Sequence, residues 1–460
     1  MARSVPDAGS SSVPLDGFSF RALVGRHLPV ARSRASEHGG WPGHVDAELR
    51  GAVACGDPED GFLWLRCDDC RVNRVVAMSC KGRGFCPRCG GRRMCQGAAN
   101  LVDRVLPHVG VRQWVLSMPM RHRLLLAWRP ELVDPALRVL VRAVERFYRE
   151  HTGGGRTGCV TVVQRFGSAL NLNVHFHVLF LDGGYARRPS GELAFRPSPP
   201  PTHAELQALV EDVARRLDRL LARRGLGEDA DVQPDDLQGQ LQLSSATGHD
   251  ALGGRPGSRT RRVAHVRPFE RAPGVLEASH HWFSLHAGTR VRAADRRGLE
   301  LLARYVLRPA VALGRLAADP ADDTVTLTFR HPWADGTGAI QLDPVELVGR
   351  LAALVPPPRR NLTRYHGVLA PAHPWRAEIV PNPPKARERR STWMPWANLI
   401  RRVFDRDPLA CPACEQAMTP LALVRSGAHG VLEWLGRTGE LVLHGPSPRG
   451  DPEDTAHGHA

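Results

Sequence analysis

Seven of the ten cysteines fall between Cys55 and Cys95, and no other feature limits so tightly what this chain can build. A stretch that short, rich in Gly and Arg, cannot bury enough apolar surface to hold itself together and needs a metal. Within it, Cys67-x-x-Cys70 and Cys86-x-x-Cys89 are separated by fifteen residues. That spacing lets two knuckles fold back on each other and offer four thiolates tetrahedrally to one zinc ion. The expected ligands of a structural zinc are therefore Cys67, Cys70, Cys86 and Cys89, with Cys80 in "SCKGRGFCPRC" able to replace one member. Arg66, Arg71, Arg74, Lys81, Arg83 and Arg88 stand among them, which makes a basic module suited to phosphate contacts. A further pair, Cys411-Pro-Ala-Cys414, is half a site with no second cysteine pair after it. It reads as a remnant, a thiol pair, or a zinc site completed by His429 or His444.

Charge narrows the partner. Lys and Arg total 62 against 47 Asp and Glu, a formal charge of +15, which favours an anionic polymer or surface. No apolar run approaches the ~18 residues that span a bilayer, and the opening "MARSVPDAGSSSVPLDG" lacks the apolar core of a signal peptide. The expectation is a cytoplasmic protein without a membrane partner, its thiols serving metal rather than disulfides.

Hydrophobic periodicity orders the next stretch as β, α, β, β. "VRQWVLSM" from Val111 is a strand, "ALRVLVRAVERFYRE" from Ala136 has helical spacing, and "GCVTVVQRF" from Gly158 and "NVHFHVLFL" from Asn173 are strands. The last two are joined by a hairpin-length connection, so they pair antiparallel in an α+β sheet with helices on one face. A Pro-rich tract after Tyr185 reads as linker or insertion, and Thr202 with Glu205 forms a capping box before a leucine-striped helix. The segment Gly253 to Pro268 reads as a basic loop. A helix from about Asp295 is stopped or kinked by Pro309, a hairpin turns at Asp335-Gly336, and a short helix follows Asp343.

On the strand at Asn173, residues two apart share a face, so His175 and His177 point the same way while Val174, Phe176 and Val178 point into the other layer. Two imidazoles in register can hold one divalent ion and leave positions open for water or phosphate oxygens, which suits Lewis-acid work on a phosphodiester. The third ligand should come from a neighbouring strand: Gln164 is the candidate and Asp182 the alternative.

"HFH" is the His-hydrophobic-His motif of HUH nucleases, and "QRFGSALNLNVHFHVLFLDG" resembles the transposases of the insertion sequence 91 family. "SCKGRGFCPRCGGRRM", "FSLHAGTRV", "LLARYVLRPAVA", "WADGTGAIQLDPVELVGRLAALVPPPRRNLTRYHGVLAP" and "LACPACEQAM" are similar to the same family, so the likeness spans about residues 40 to 420. It implies an HUH-nuclease antiparallel sheet preceded by a zinc-binding module. It further implies a catalytic Mg²⁺ or Mn²⁺ at the histidines, single-stranded DNA at transposon ends and target DNA as partners, and a helix-borne tyrosine that forms a 5′-phosphotyrosine link. On that basis the chain divides into a flexible lead and first helix (1–40), the zinc module (41–100) and an HUH nuclease domain (101–320) with a helical and basic insertion at about 186–268. A hairpin, helix and basic linker (321–400) and a C-terminal CxxC segment with a disordered tail (401–460) follow.

The resemblance points to Tyr305 as nucleophile. The residues agree: the helix around it buries Leu299, Leu302 and Val306 and leaves Tyr305 about 120° off that stripe. Relatives with two tyrosines carry them four residues apart, but Leu301 stands at the earlier position, which resembles the one-tyrosine branch. Tyr365 in "LTRYHG" is the reserve. A phenol of pKa ~10 needs a metal or base beside it to attack at neutral pH. Arg304, Arg308, Arg330, Trp333 and Arg364, with Lys81 and Arg83 of the zinc module, are the expected DNA contacts, since phosphate neutralisation with ring stacking holds single strands. A rolling-circle replication initiator or relaxase would use the same chemistry. A zinc protein that only binds nucleic acid is the non-enzymatic alternative.

Overall fold

The strand Leu172–Leu181 is buried along nearly its whole length, and its period-two alternation divides it between two cores. Val174, Phe176, Val178 and Phe180 enter one core with Trp114, Leu140 and Val144. Leu179 and Leu181 enter the other with Val160, Val162, Leu299, Leu302 and Val306. Full burial of each such side chain stabilises the fold by roughly 1.5–3 kcal/mol. A strand apolar on both faces demands cover on both.

The computed structural model describes residues 13–14, 17–227, 230, 233–265, 276–319, 321–381, 398–399, 401–402, 409–425, 428–437 and 441–443. Residues 1–12 of the expected lead, the basic linker from 382 to 397, and the tail from 444, with His444, lie outside the described residues.

The fold is α+β, as expected. Its central antiparallel sheet runs in the order Glu277–His280, Phe283–His286, Val111–Ser117, Leu172–Leu181, Gly158–Phe166, Thr363–Gly367. Helices Met120–Trp128, Val133–His151, His203–Ala222, Leu237–Thr247 and Pro344–Leu354 supply the core on the Phe176 face. Helices Pro87–Arg104 and Arg296–Leu307 supply it on the histidine face, so the helices cover two faces and not the expected one. The reason is the strand itself, whose histidine face also carries Leu179 and Leu181.

The expected hairpin forms between Thr324–Thr328 and Thr337–Leu342, with Gly336 in the left-handed turn at φ 83. The helix Pro344–Leu354 that follows is buried all round, with Glu346 and Arg350 paired inside it at 3.2 Å. Two segments read as loop turn out to contain strands. Arg261–His265, in the basic stretch, pairs with Thr337–Leu342, and Leu193–Pro197, in the Pro-rich tract, pairs with Gly183–Arg187. Edge pairing runs through backbone groups and needs no apolar alternation, which is why periodicity missed both.

The cysteine-rich region is a hairpin of Phe62–Arg66 and Asn73–Ala77 between helices Gly43–Ala54 and Pro87–Arg104. The far end of the chain completes its sheet: Thr419–Val424 pairs antiparallel with the first strand and Leu441–Leu443 parallel with the second. Among the described residues no helix is long and apolar enough to cross a membrane.

Candidate functional site

Strand alternation brings His175 and His177 to one face, and their Nε2 atoms stand 3.1 Å apart. Two donors each ~2.1 Å from one octahedral ion, at right angles, stand about 3.0 Å apart, so the pair has the separation of adjacent ligands. The Nδ1–H of His175 donates to its neighbour's backbone, the Asn173 carbonyl, at 2.9 Å, which leaves its Nε2 as the lone pair. His177 Nδ1 lies 2.8 Å from the buried amide of Gln113 on the adjacent strand. That amide donates through nitrogen or, turned by half a revolution, accepts through oxygen, so it can support either tautomer. Burial brings His175 down to about 4, assisted by the charges of Arg308 and Arg123 against the Asn173 hydrogen bond. Burial, then His175 and Arg308, holds His177 well below its ordinary value. Both rings are neutral at pH 7.

Gln164 lies directly across the ladder from His175 and so shares its face. Its Nε2 donates 2.6 Å to the carbonyl of Val306, in the last turn of the tyrosine helix, while its Oε1 is buried with no partner. An orphaned acceptor oxygen on the residue opposite His175, on the histidine face, fits a third ligand for a hard divalent ion. Asp182 is differently committed. Its carboxylate accepts from Arg112 at 2.8 and 3.2 Å, from Arg290 at 2.5 Å and from the Tyr148 hydroxyl at 3.1 Å. Among the described residues no carboxylate, thiol or further histidine joins the pair in a three-ligand group.

Of the four tyrosines, Tyr305 is the exposed one, at 42 %. Its ring meets that of His177 edge-on, centroids 5.9 Å apart, and the Arg308 guanidinium lies 4.3 Å from its centroid. Tyr148 is wholly buried, and burial raises Tyr185 to about 12. Tyr365 pairs with Val160 and packs into the core on the histidine face, where burial raises its hydroxyl.

The expected DNA contacts separate. Arg308 joins the site, its guanidinium also 5.8 Å from the Phe166 ring. Trp333 stacks on Phe329 at 4.8 Å and donates to Ser168 Oγ at 3.2 Å, just ahead of the histidine strand. Arg304 turns away to Glu300 at 2.5 Å. Arg364 points to the opposite face, pairing with Asp134 at 2.5 Å, because Tyr365 next to it occupies the histidine face. Arg83 donates to the Arg360 carbonyl at 2.8 Å, Lys81 is exposed beyond Cys80, and Arg330 is exposed in the hairpin. Sequence reasoning missed Gln113, Arg123 and Trp282. Trp282 is 88 % exposed in a two-residue turn with His281, at positive φ of 68 and 43. The register carries that turn to the His175 end of the sheet. The two-residue hairpin turn demands positive φ at both positions, and a bulky side chain there costs about 1 kcal/mol or more relative to glycine or asparagine.

The thiols sort into two groups of four, and neither is the expected set. Cys86 and Cys89 join Cys55 and Cys80, and Cys67 and Cys70 join Cys411 and Cys414, with the sulfurs of each group within 4.8 Å of one another. The expected pairing of the two CxxC motifs is thus corrected. Cys80 does belong with Cys86 and Cys89, while Cys55 takes the fourth place. Sulfur separations of 3.4 Å for Cys80–Cys89 and 3.6 Å for Cys55–Cys89 are far beyond a disulfide bond and near the ~3.8 Å edge of a zinc tetrathiolate. His429 instead faces Glu59 and Glu433.

Two family models match. One, described as "Putative transposase", covers residues 158–376, and one, described as "Transposase zinc-binding domain", covers residues 28–118. No curated protein matches the chain, and no solved structure does.

Proposed function

The chain belongs to the insertion sequence 91 family of transposases, and on that premise we propose that it cuts and rejoins single-stranded DNA with Tyr305 as nucleophile. The Tyr305 Oη–P bond forms as the P–O3′ bond breaks. The phenol gives up its proton, the 3′ oxygen leaves as a hydroxyl, and the 5′ end of the DNA stays on the tyrosine. The ester is conserved, so the 3′-hydroxyl of another strand can displace Tyr305 and complete the transfer. Leu301 stands one turn earlier on the helix, so one tyrosine serves both steps.

His175, His177 and Gln164 would hold a Mg²⁺ or Mn²⁺ ion, which supplies positive charge to the phosphate oxygens when bound. Neutral imidazoles keep their lone pairs available at physiological pH. Arg308 sets its charge over the phenol, where negative charge develops as the proton leaves. Trp282 offers an exposed aromatic face to unstacked bases.

The observation that carries this reading is the contact between His177 and Tyr305, which joins the histidine strand to a helix more than a hundred residues later. Incubation with Mg²⁺ or Mn²⁺ and single strands from the element's ends should give a covalent protein–DNA adduct on a denaturing gel. Tyr305→Phe should abolish it and Tyr365→Phe should not. An adduct with Tyr305→Phe would refute the assignment of the nucleophile. No adduct with any strand would favour a protein that only binds nucleic acid, and an adduct confined to replication-origin strands would favour an initiator or relaxase.

A further inference from the structure

The zinc-domain match ends at residue 118, yet two of the eight clustered thiols lie at Cys411 and Cys414. The segments carrying the two CxxC pairs of this group are the same turn made twice. At the first, Cys67 N–H donates to the Val72 carbonyl at 2.9 Å and Arg71 N–H to the Cys67 carbonyl at 3.0 Å. At the second, Cys411 N–H donates to the Gln416 carbonyl at 2.7 Å and Glu415 N–H to the Cys411 carbonyl at 2.9 Å. The residue after the second cysteine is left-handed in both, Arg71 at φ 61 and Glu415 at φ 60. Neither is glycine, so each turn holds a conformation that L residues avoid and that needs an outside restraint.

The turns face each other. Cys67 Sγ and Cys414 Sγ are 3.6 Å apart, too far for a disulfide and close to the edge of a metal tetrathiolate, ~3.8 Å. Cys70 N–H points at Cys67 Sγ from 3.4 Å. The ladder from Thr419 opposite Arg66 to Val424 opposite Phe62 sets the register, and Leu65, Cys67, Cys411 and Met418 form a small shared core.

We propose that Cys67, Cys70, Cys411 and Cys414 bind a second structural zinc ion, making one zinc ribbon from the two ends of the chain. The residues that carry the histidine strand and the tyrosine helix are then an insertion between the ribbon's halves. Binding exchanges thiol protons for zinc, and four sulfur ligands close the site, so it holds structure and leaves no position for substrate. The ribbon cannot form until the C-terminal knuckle has been made. The inference does not depend on the role of Tyr305, and its test reads metal rather than DNA cleavage.

Elemental analysis of the purified full chain should give two zinc ions per molecule. Cys411→Ser with Cys414→Ser should leave one, and Cys55→Ser with Cys80→Ser should also leave one. One zinc in the unaltered chain, or two in the Cys411/Cys414 variant, would overturn the proposal. Should that variant fail to fold, alkylation of the unaltered protein decides: Cys411 and Cys414 should resist iodoacetamide until zinc is chelated. Modification of both in the fully zinc-loaded chain would be a refutation.

Discussion

The two cysteine clusters are built from the same residue type and join different parts of the chain. The cluster of Cys55, Cys80, Cys86 and Cys89 is local in sequence, and Cys86 immediately precedes the helix Pro87–Arg104. That helix lies against the tyrosine helix so closely that a Cβ on Gly90 would sit 2.6 Å from Pro309 Cβ, and one on Gly97 2.8 Å from Leu307 Cδ1. Arg402 ties the same pair of helices together through Asp103 and, at 2.7 Å, Glu300. The cluster of Cys67, Cys70, Cys411 and Cys414 joins two segments more than three hundred residues apart in sequence. One cluster therefore adjoins a helix packed on the helix of Tyr305, and the other joins two distant segments.

The largest expected effect separates the two. Cys86→Ser with Cys89→Ser should lower covalent adduct formation by about 100-fold, because a shift of ~1 Å at a reacting group costs that much. Cys411→Ser with Cys414→Ser should lower it less than about threefold, as distant sites act independently. Equal losses in both variants would break the comparison.

A smaller effect is expected at the helix contact. Gly90→Ala should destabilise the chain by about 1–3 kcal/mol, seen in a denaturant titration, because the rigid Pro309 ring cannot move aside. Gly91→Ala next to it meets nothing within 4 Å and should be neutral or, through helix propensity, stabilising by up to about 1 kcal/mol. A matching loss at both positions would mean that the helices are not in close contact.

The smallest effect concerns the tether between strand and helix. Gln164→Ala should leave the fold intact and raise the Mg²⁺ or Mn²⁺ concentration for half-maximal adduct by about tenfold, within the range for lost support at a metal site. An unchanged metal dependence would remove Gln164 from the ligand set.

Much of this was legible in the residues. The alternation around His175 and His177 placed both on one strand face, and the offset of Tyr305 from Leu299, Leu302 and Val306 left it out of the core. The capping box at Thr202 and Glu205 formed as expected. These features rest on neighbours within a few residues, where helix and strand periods dictate direction. Whether Gln164 or Asp182 is free to serve as a ligand was less legible, since both flank the motif. Only buried Arg112, the more exposed Arg290 and the Tyr148 hydroxyl around Asp182 show that its lone pairs are already occupied.

By itself, then, the sequence determined the antiparallel α+β sheet, the shared face of the histidines, the exposure of Tyr305 and the need for metal around the cysteines. The tertiary structure alone decided which cysteines meet. Spacing suggests that the two N-terminal CxxC pairs close on each other, but thiols assemble by proximity in space. Here a strand pairing hundreds of residues long in sequence separation, Thr419 opposite Arg66, delivers Cys411 and Cys414 to Cys67 and Cys70 and frees Cys86 and Cys89 for Cys55 and Cys80. A contact of that range leaves no periodic trace, because its register is set by a backbone ladder and a small core formed only when both ends are present.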